Sequence, residues 1–392
     1  MKFLDYIQVN PTIKLEKDKQ YPFVEMANAD VFAREPKQID IKKYFSGVKF
    51  QRGDTVIARI EPCLQNGKGF FVKNISEGFG STEFLVFRPK DDKVTNEFLY
   101  YFMLTDYIRK SMINSMTGAT GRQRVNKDIF KSLELSLPSI EKQKRIADIL
   151  SAYDDLIENN QKQIMLLEEA AMRLYKEWFV NLQFPGYENT KIVDGVPEGW
   201  EKLYIEDVCQ TVGGGTPSTK VPSYYNNGTI PWVTPTDITR NDCLILLDTE
   251  KKITEEGLAR SSAKMLPSET ILMTSRASVG FFGISEQEVC TNQGFISCIP
   301  NNKNLMMFLL LNLMSRKDEI RQKAGGATYL EINKSTFRKL IVIKPDDTLL
   351  NEFQSITYTI LKRISALKKQ SDLLKQARDK LLPKLMNGEI EV

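Results

Sequence analysis

GATGRQRVNKDIFKSLELSLP, Gly118 to Pro138, returns later in the chain as GGATYLEINKSTFRKLIVIKP, Gly325 to Pro345. The two stretches align at a constant offset of 207: Gly118 falls on Gly325, Val125 on Ile332, Asn126 on Asn333, Lys127 on Lys334, Phe130 on Phe337 and Pro138 on Pro345. The same offset runs backwards to set Arg109 and Lys110 on Arg316 and Lys317. Further upstream the match survives small insertions. VIARIEPCLQNGKGFF (56–71) resembles ILMTSRASVGFFGI (271–284), and STEFLVFRP (81–89) resembles TNQGFISCIP (291–300). One offset held over so many residues marks a tandem duplication.

The segments that follow each proline repeat as well. Ile146, Leu150, Tyr153, Ile157, Asn160, Ile164, Leu167, Ala171, Leu174 and Trp178 alternate spacings of four and three, the heptad seam of a long helix. Adding 207 gives Phe353, Thr357, Ile360, Ile364, Leu367, Ser371, Leu374, Arg378, Leu381 and Leu385, with one row wholly apolar and the other mixed. Both seams are longer than a small globular domain needs, so the two helices are expected to pair with each other. Asn160 and Ser371 are polar seam positions of the kind that fix register at some cost in stability.

The organisation is therefore globular unit, helix, globular unit, helix: residues 1–137, 138–185, 186–344 and 345–392. Both globular units read as mixtures of helix and strand, an α/β (α+β) class. At about 150 residues per domain, the 392 residues accommodate this layout. KITEEGLARSSAKMLPSETILMTSRASVGFFGI predicts a helix, a turn and a strand at Thr270–Thr274, and residues 184–199 read as the linker into the second half.

Composition excludes several chemistries. The chain has no histidine, which removes Ser-His and Cys-His nucleophile pairs, HExxH metalloprotease sites and His-bearing zinc sites. Its five cysteines (Cys63, Cys209, Cys243, Cys290, Cys298) form no CxxC pair and fit reduced thiols. There is no GxxxxGK[ST] loop, no [ND]PP[YFW] tetrapeptide and no FxGxG strand end. No catalytic constellation emerges. The opening MKFLDYIQVN lacks a signal peptide's apolar core, and the apolar run Leu305–Met314 is about half the ~20 residues of a membrane span. A soluble, cytoplasmic chain without a membrane partner is expected. Net charge is +4, made of +5 in residues 1–137, −2 in 138–185, 0 in 186–344 and +1 in 345–392. Nucleic-acid contact would have to come from local patches.

The loops of the repeat supply such patches. GATGRQRVNK presents Arg122, Gln123, Arg124, Asn126 and Lys127 between glycines and a helix start. Arginine bonds guanine in bidentate fashion, asparagine and glutamine do the same with adenine, and lysine suits phosphate. Alone, the loop reads more readily as a solvated loop that ends in a helix cap. Its counterpart keeps the glycines, Asn333 and Lys334 but replaces Arg-Gln-Arg with Tyr329-Leu330-Glu331. A shared frame with divergent tips suits two readers of two sequences. Arg59 and Arg276 fall at corresponding strand ends, and Lys68 follows in the first unit. In the second, Thr216, Ser218, Lys220 and Tyr224 add hydroxyl, basic and aromatic groups. Gly213-Gly214-Gly215 reads as a flexible entry to that loop, and Trp232 as core.

These residues resemble the specificity (S) subunit of type I restriction–modification enzymes. GGGTPSTKVPSYYNNGTIPWVTPTDI (213–238), with TSRASVGFFGI and TNQGF after it, is similar to the opening of one of that family's target recognition domains. GATGRQRVNKDIFKSLELSLPSIEKQKRIADIL and LLKQARDKLLPKLMNGEIEV look like its domain end and long-helix boundaries. The first half lacks a counterpart to Val196–Trp200, and its ARIEPCLQNGKGFF loop departs from TSRASVGFFGI.

The resemblance implies two target recognition domains, each binding one half of a bipartite site in double-stranded DNA. It further implies an antiparallel coiled coil between them, a pseudo-twofold internal repeat, and docking of two methyltransferase subunits. Those partners would supply S-adenosylmethionine, and restriction subunits, where present, would supply ATP and magnesium chemistry. This chain would bind no cofactor and catalyse nothing. Ile146 to Trp178 spans 33 residues. That is roughly 50 Å at ~1.5 Å per helical residue, or about 15 base pairs of unread spacer. A free-standing DNA-binding regulator is the alternative for the same layout, and a coiled-coil protein that binds other proteins a further one.

Overall fold

The computed structural model describes every residue except Phe32, Ala327 and Thr328, the last two in the second repeat's glycine loop. The chain forms two compact units, residues 1–158 with 372–392, and residues 159–371. Each unit holds one globular repeat and a stretch of both long helices.

The repeats share a central sheet. In the first unit, strands Ile7–Val9, Phe84–Pro89, Thr55–Ala58 and Gly69–Phe71 lie side by side in that order, antiparallel throughout. In the second, Cys209–Gly213, Phe295–Pro300, Ile271–Thr274 and Phe282–Ser285 take the same order, with Ile245–Leu246 added in parallel at the edge. The central strands TVIA and ILMT are buried along their whole length, which an interior strand covered on both faces requires. A second sheet in each unit is built on a parallel pair, Gln20–Val24 beside Glu77–Gly80 and Ile230–Val233 beside Cys290–Thr291. Equivalent backbone bonds tie the short leading helix of each repeat to its closing segment. Phe3 N donates to Leu133 O at 2.9 Å, and Ile205 N to Leu340 O at 3.0 Å.

The long helices run from Ile140 to Tyr175, closing with a π turn at Lys176–Val180, and from Asp347 to Met386. Their starts are equivalent. Pro138 and Pro345 end the preceding segments, and Ser139 and Asp346 cap the orphan amides. The Ser139 hydroxyl accepts from Lys142 N at 3.4 Å, and the Asp346 carboxylate from Thr348 N and Leu349 N at 3.0 Å.

In the second unit, Asn160 Nδ2 donates to Gln370 Oε1 at 3.1 Å, while the Phe353 ring lies 5.7 Å from Trp178 and 6.4 Å from Tyr175. One helix advances as the other recedes, so the pairing is antiparallel. In the first unit Asp154 meets Arg378 in the same phase, with Nη1 to Oδ1 at 2.5 Å. The seam is buried as its spacing requires. Ile146, Leu150, Ile157, Asn160, Ile164, Phe353, Ile364 and Leu367 are buried, and Tyr153, Leu167, Ile360, Leu374 and Leu381 are half-buried. The mixed row is buried too. Thr357 satisfies its hydroxyl on Phe353 O, and Asn160 finds Gln370 rather than the adjacent Ser371.

The seam continues into each repeat's core. Ile146, Ala147 and Leu150 share a cluster with Phe3, Phe87 and Phe130; Ile164, Ile364 and Leu367 share one with Ile271, Ile296 and Phe308. Among the described residues, no helix is long and apolar enough to cross a membrane.

One carboxylate on the central helix is enclosed by this packing. Glu168 accepts a hydrogen bond from Leu244 N at 2.7 Å. Burial, reinforced by the like charge of Asp242, pushes its pKa up to about 7. The folded state therefore holds the proton more tightly than the unfolded chain. That contribution to stability is complete below the ordinary glutamate range and is lost as pH rises through about 7. Glu168→Gln is expected to raise the melting temperature at pH 8, with the gain shrinking to nothing near pH 4. Thermal unfolding of both proteins across that range checks it.

Candidate nucleic-acid interface

Each central strand delivers its chain into a rim of loops. In the first unit the strand Thr55–Ala58 ends at Arg59, whose N–H donates to Glu83 O at 2.8 Å and whose carbonyl accepts from Val125 N at 2.9 Å. Ile60 bridges to Arg124, and Glu61 N donates to Gln123 O. Met116–Thr117 pairs with Arg124–Val125, so Gly118–Gln123 forms a hairpin tip. Gly118 and Gly121 stand there at φ 121° and 80°, in the region only glycine enters freely. The Glu61 carboxylate holds the tip by accepting from Gly121 N at 2.9 Å.

Glu83 organises the cations of this rim. Arg124 grips it with Nη2 to Oε1 at 2.7 Å and Nε to Oε2 at 2.9 Å, and Arg59 Nε lies 3.3 Å away. These two guanidinium groups, Arg124 foremost, hold the Glu83 carboxyl below its usual range. Arg59, Arg122, Gln123 and Arg124 are thus brought together. Arg122 projects exposed at the tip, whereas Arg124 is pinned by its carboxylate. Asn126 accepts from Asp128 N at 3.0 Å at the start of a short helix, with Lys127 exposed beside it. Lys68 reaches back on its backbone to Ala58, but its ammonium donates to Met26 O at 3.1 Å.

The second unit builds the same frame. The strand Ile271–Thr274 ends at Ser275, whose carbonyl accepts from Ile332 N at 3.0 Å, and Arg276 bridges to Glu331. This register corrects the sequence alignment. Arg59 corresponds to Ser275, and Arg276 corresponds to Ile60: Arg59 is the first residue after its strand and Arg276 the second. The charge at one position is reversed, and its partner comes from a different place. Where the first unit has Arg124 held by Glu83, the second has Glu331 beside Arg276, Nε to Oε2 at 3.5 Å.

The glycine triplet is packed rather than loose. A Cβ on Gly214 would lie 2.1 Å from Asn292 O and 2.2 Å from Thr291 O, and one on Gly215 would lie 2.3–2.4 Å from Ser262 and Ala263. Gly215 N donates to Thr291 O, and its carbonyl accepts from the buried Trp232 indole at 3.0 Å, so Trp232 is core. The absence of side chains therefore lets two loops touch through their backbones; the expected flexible entry is replaced by a close approach. Beyond it, Thr216 is hydrogen-bonded to Gln293, and Ser218 and Lys220 are exposed. Tyr224 is half-buried, with its carbonyl accepting from Thr254 N. Tyr329 is exposed, Asn333 caps the helix Lys334–Arg338 through Thr336 N at 2.8 Å, and Lys334 is exposed beside Gly213.

The sequence reading missed Glu61, Glu83 and Gln293. The last two sit inside the matched strings STEFLVFRP and TNQGFISCIP, one and two residues before their strands, so their place at the strand starts was accessible from the alignment. The assembly is two rims of backbone-locked loops carrying guanidinium, amide, hydroxyl and aromatic groups. Among the described residues there is no group of three or more His, Cys, Asp or Glu that could hold a metal ion.

Comparison with known proteins matches this duplicated design. The type I restriction modification DNA specificity domain matches the chain twice, at residues 5–169 and 197–382. The chain belongs to that family and carries two copies of its domain. It is 28% identical to the HindI specificity subunit of Haemophilus influenzae over 87% of each chain. It is also 28% identical to the MjaIX specificity subunit of Methanocaldococcus jannaschii, over 78% of this chain and 71% of that one. The crystal structure of the type I S subunit from M. genitalium shares the fold, with a TM-score of 0.56 at 16% identity over 98% of this chain and 95% of that one.

Because the Gly214 contact has no room for a methyl group, Gly214→Ala is expected to displace the 213–216 loop. The cost should be about 1–3 kcal/mol. Loss of the Gly215–Trp232 hydrogen bond should shift the Trp232 emission, which a protein with Trp178 and Trp200 changed to Phe isolates.

Proposed function

We propose that this chain is the DNA-recognition subunit of a type I restriction–modification complex, and that each rim reads one half of a bipartite target. The family match across both repeats supports this reading. The observation that carries the two-reader assignment is the pair of rims: one backbone frame, laced by equivalent hydrogen bonds, presents different side chains at equivalent positions, with the charge reversed where Arg124 is matched by Glu331. Backbone frames position a reader, and side-chain tips choose bases. Arg122, Gln123, Asn126 and Lys127 form the tip in the first unit. Thr216, Ser218, Lys220, Arg276, Tyr329 and Lys334 form it in the second.

In this assignment the chain supplies recognition and no catalysis. Methyltransferase subunits docked on it would bring S-adenosylmethionine, and restriction subunits would bring ATP and magnesium. The paired helices act as the spacer, their length setting the unread interval between half-sites. Purified alone, the chain should bind DNA carrying its site with an affinity that falls steeply with salt, and should methylate nothing until its methyltransferase subunit is added. Methylation by the chain alone, or no methylation with the partner, would sink the assignment.

Two variants separate the readers. Arg122→Ala should weaken methylation through one half-site and Arg276→Ala through the other, each by about 1–3 kcal/mol in discrimination. Mapping methylated sites for each protein checks this; loss spread evenly over both half-sites would mean phosphate contacts instead. Deleting one heptad from each long helix should shorten the unread spacer and leave both half-sites unchanged.

A further inference from the structure

The duplicated chain carries a charged network in one unit and an apolar set at the equivalent positions of the other. In the first unit Asp154 and Arg378 are buried, at 3% and 7% exposure, and paired across the two helices. The hydroxyl of buried Tyr101 donates to Asp154 Oδ2 at 2.6 Å, and Arg378 also reaches the exposed Asp379 carboxylate next to it on its own helix at 2.9 Å. Burial would by itself lower the Arg378 pKa, yet the Asp154 carboxylate holds it above its ordinary value, so the guanidinium stays charged.

The offset of 207 gives the counterparts. Tyr101 falls on Phe308, Asp154 on Leu361, and Arg378 on Ala171. All three are buried in the second unit's core. The antiparallel seam therefore contains one buried ion pair and one apolar pair related by the internal repeat.

A repeated seam has an intrinsic ambiguity. Two helices descended from one sequence can pair with each other, or each can pair with its own copy in a second molecule. The two arrangements differ at these positions. In self-pairing, Asp154 of one central helix meets Ala171 of the other, and Arg378 of one C-terminal helix meets Leu361 of the other. Every such contact separates the Asp154 carboxylate from the Arg378 guanidinium at a buried position, leaving the Tyr101 hydroxyl to Asp154 and the exposed Asp379 of its own helix to Arg378, which is unfavourable. Pairing between the two different helices keeps the two groups together. We propose that the Asp154–Arg378 pair, with Tyr101, is a partner key that makes each long helix accept the chain's other helix and reject a second copy of itself. Specificity here comes from penalising the wrong partner, at a position where an apolar pair would pack equally well.

The test uses full-length chains. Y101F/D154L/R378A installs in the first unit the apolar set the second unit already uses, so it should fold with an undiminished melting temperature. Removing the penalty should raise the proportion of helix-exchanged dimer after refolding by at least about 100-fold. Mass measured by light scattering, and co-purification of two differently tagged copies refolded together, reads this out. A triple variant that folds and remains as monomeric as the parent overturns the proposal. A second experiment changes the key instead of erasing it. Chains bearing D154R or R378D alone each place like charges together, whereas mixing them restores both pairs by reciprocal exchange. The two tagged chains should co-purify only with each other, and the D154R/R378D chain should be monomeric. Failure of the single-reversal chains to associate, where the double reversal folds, overturns the proposal as well.

Discussion

The ring of Phe353 is fully buried, 4.8 Å from Phe179 and 5.7 Å from Trp178, where the start of one long helix meets the end of the other. Helices of 36 and 40 residues gain little lasting order from intrinsic propensity; most of their stability comes from burying a face. The seam does this for both at once. Because seam and domain cores are continuous, the same burial that holds the helices fixes the central sheets. Those sheets fix the strand ends from which both rims are strung. A lost seam contact is thus felt at the base of a rim loop as well as in the coil.

The rims show how the loop surface can change without disturbing that foundation. Arg59 O accepts from Val125 N in one unit and Ser275 O from Ile332 N in the other, although the side chains on either side differ in size and sign. Main-chain bonds do not depend on side-chain identity, so the frame tolerates replacement at its tips. What each tip then needs is a local means of holding its cations. Glu83 does this for Arg59 and Arg124; Glu331 does it for Arg276 from the opposite strand of the bridge. The charge of +4 is summed over the whole chain and says little about what the tips attract.

Duplication, heptad seam and helix starts were legible in the sequence because they depend on periodicities and on local chemistry. Pro138 with Ser139, and Pro345 with Asp346, state a helix start without reference to anything distant. The seam residues from Ile146 to Leu381 were legible for the same reason. The antiparallel sense entered only through the family resemblance, since a heptad repeat carries no direction. The rims were read less well. Arg276 stands one place out of step with Arg59, and only the hydrogen-bond ladder gives that register. Gly213–Gly215 was misread because a glycine run looks the same whether it supplies freedom or closeness. The carbonyls of Thr291 and Asn292, far away in sequence, decide between them.

The halves have diverged in their cores as well as at their tips, and the two kinds of change differ in cost. A tip residue faces solvent, and replacing it leaves the frame satisfied. A core polar group must find partners or be eliminated. In the first unit Gln143, fully buried, bonds Thr95 N, Lys93 O and Pro138 O, whereas its counterpart Leu350 needs none. Tyr101, Asp154 and Arg378 stand in the same relation to Phe308, Leu361 and Ala171. The second unit demonstrates that an apolar solution exists in the same frame, so the polar one is not imposed by the fold. Buried pairs of this type are often no more stabilising than the apolar residues that could replace them. Their effect lies in what they forbid, and in a chain built from two copies of one unit the nearest alternative partner for either helix is a copy of itself.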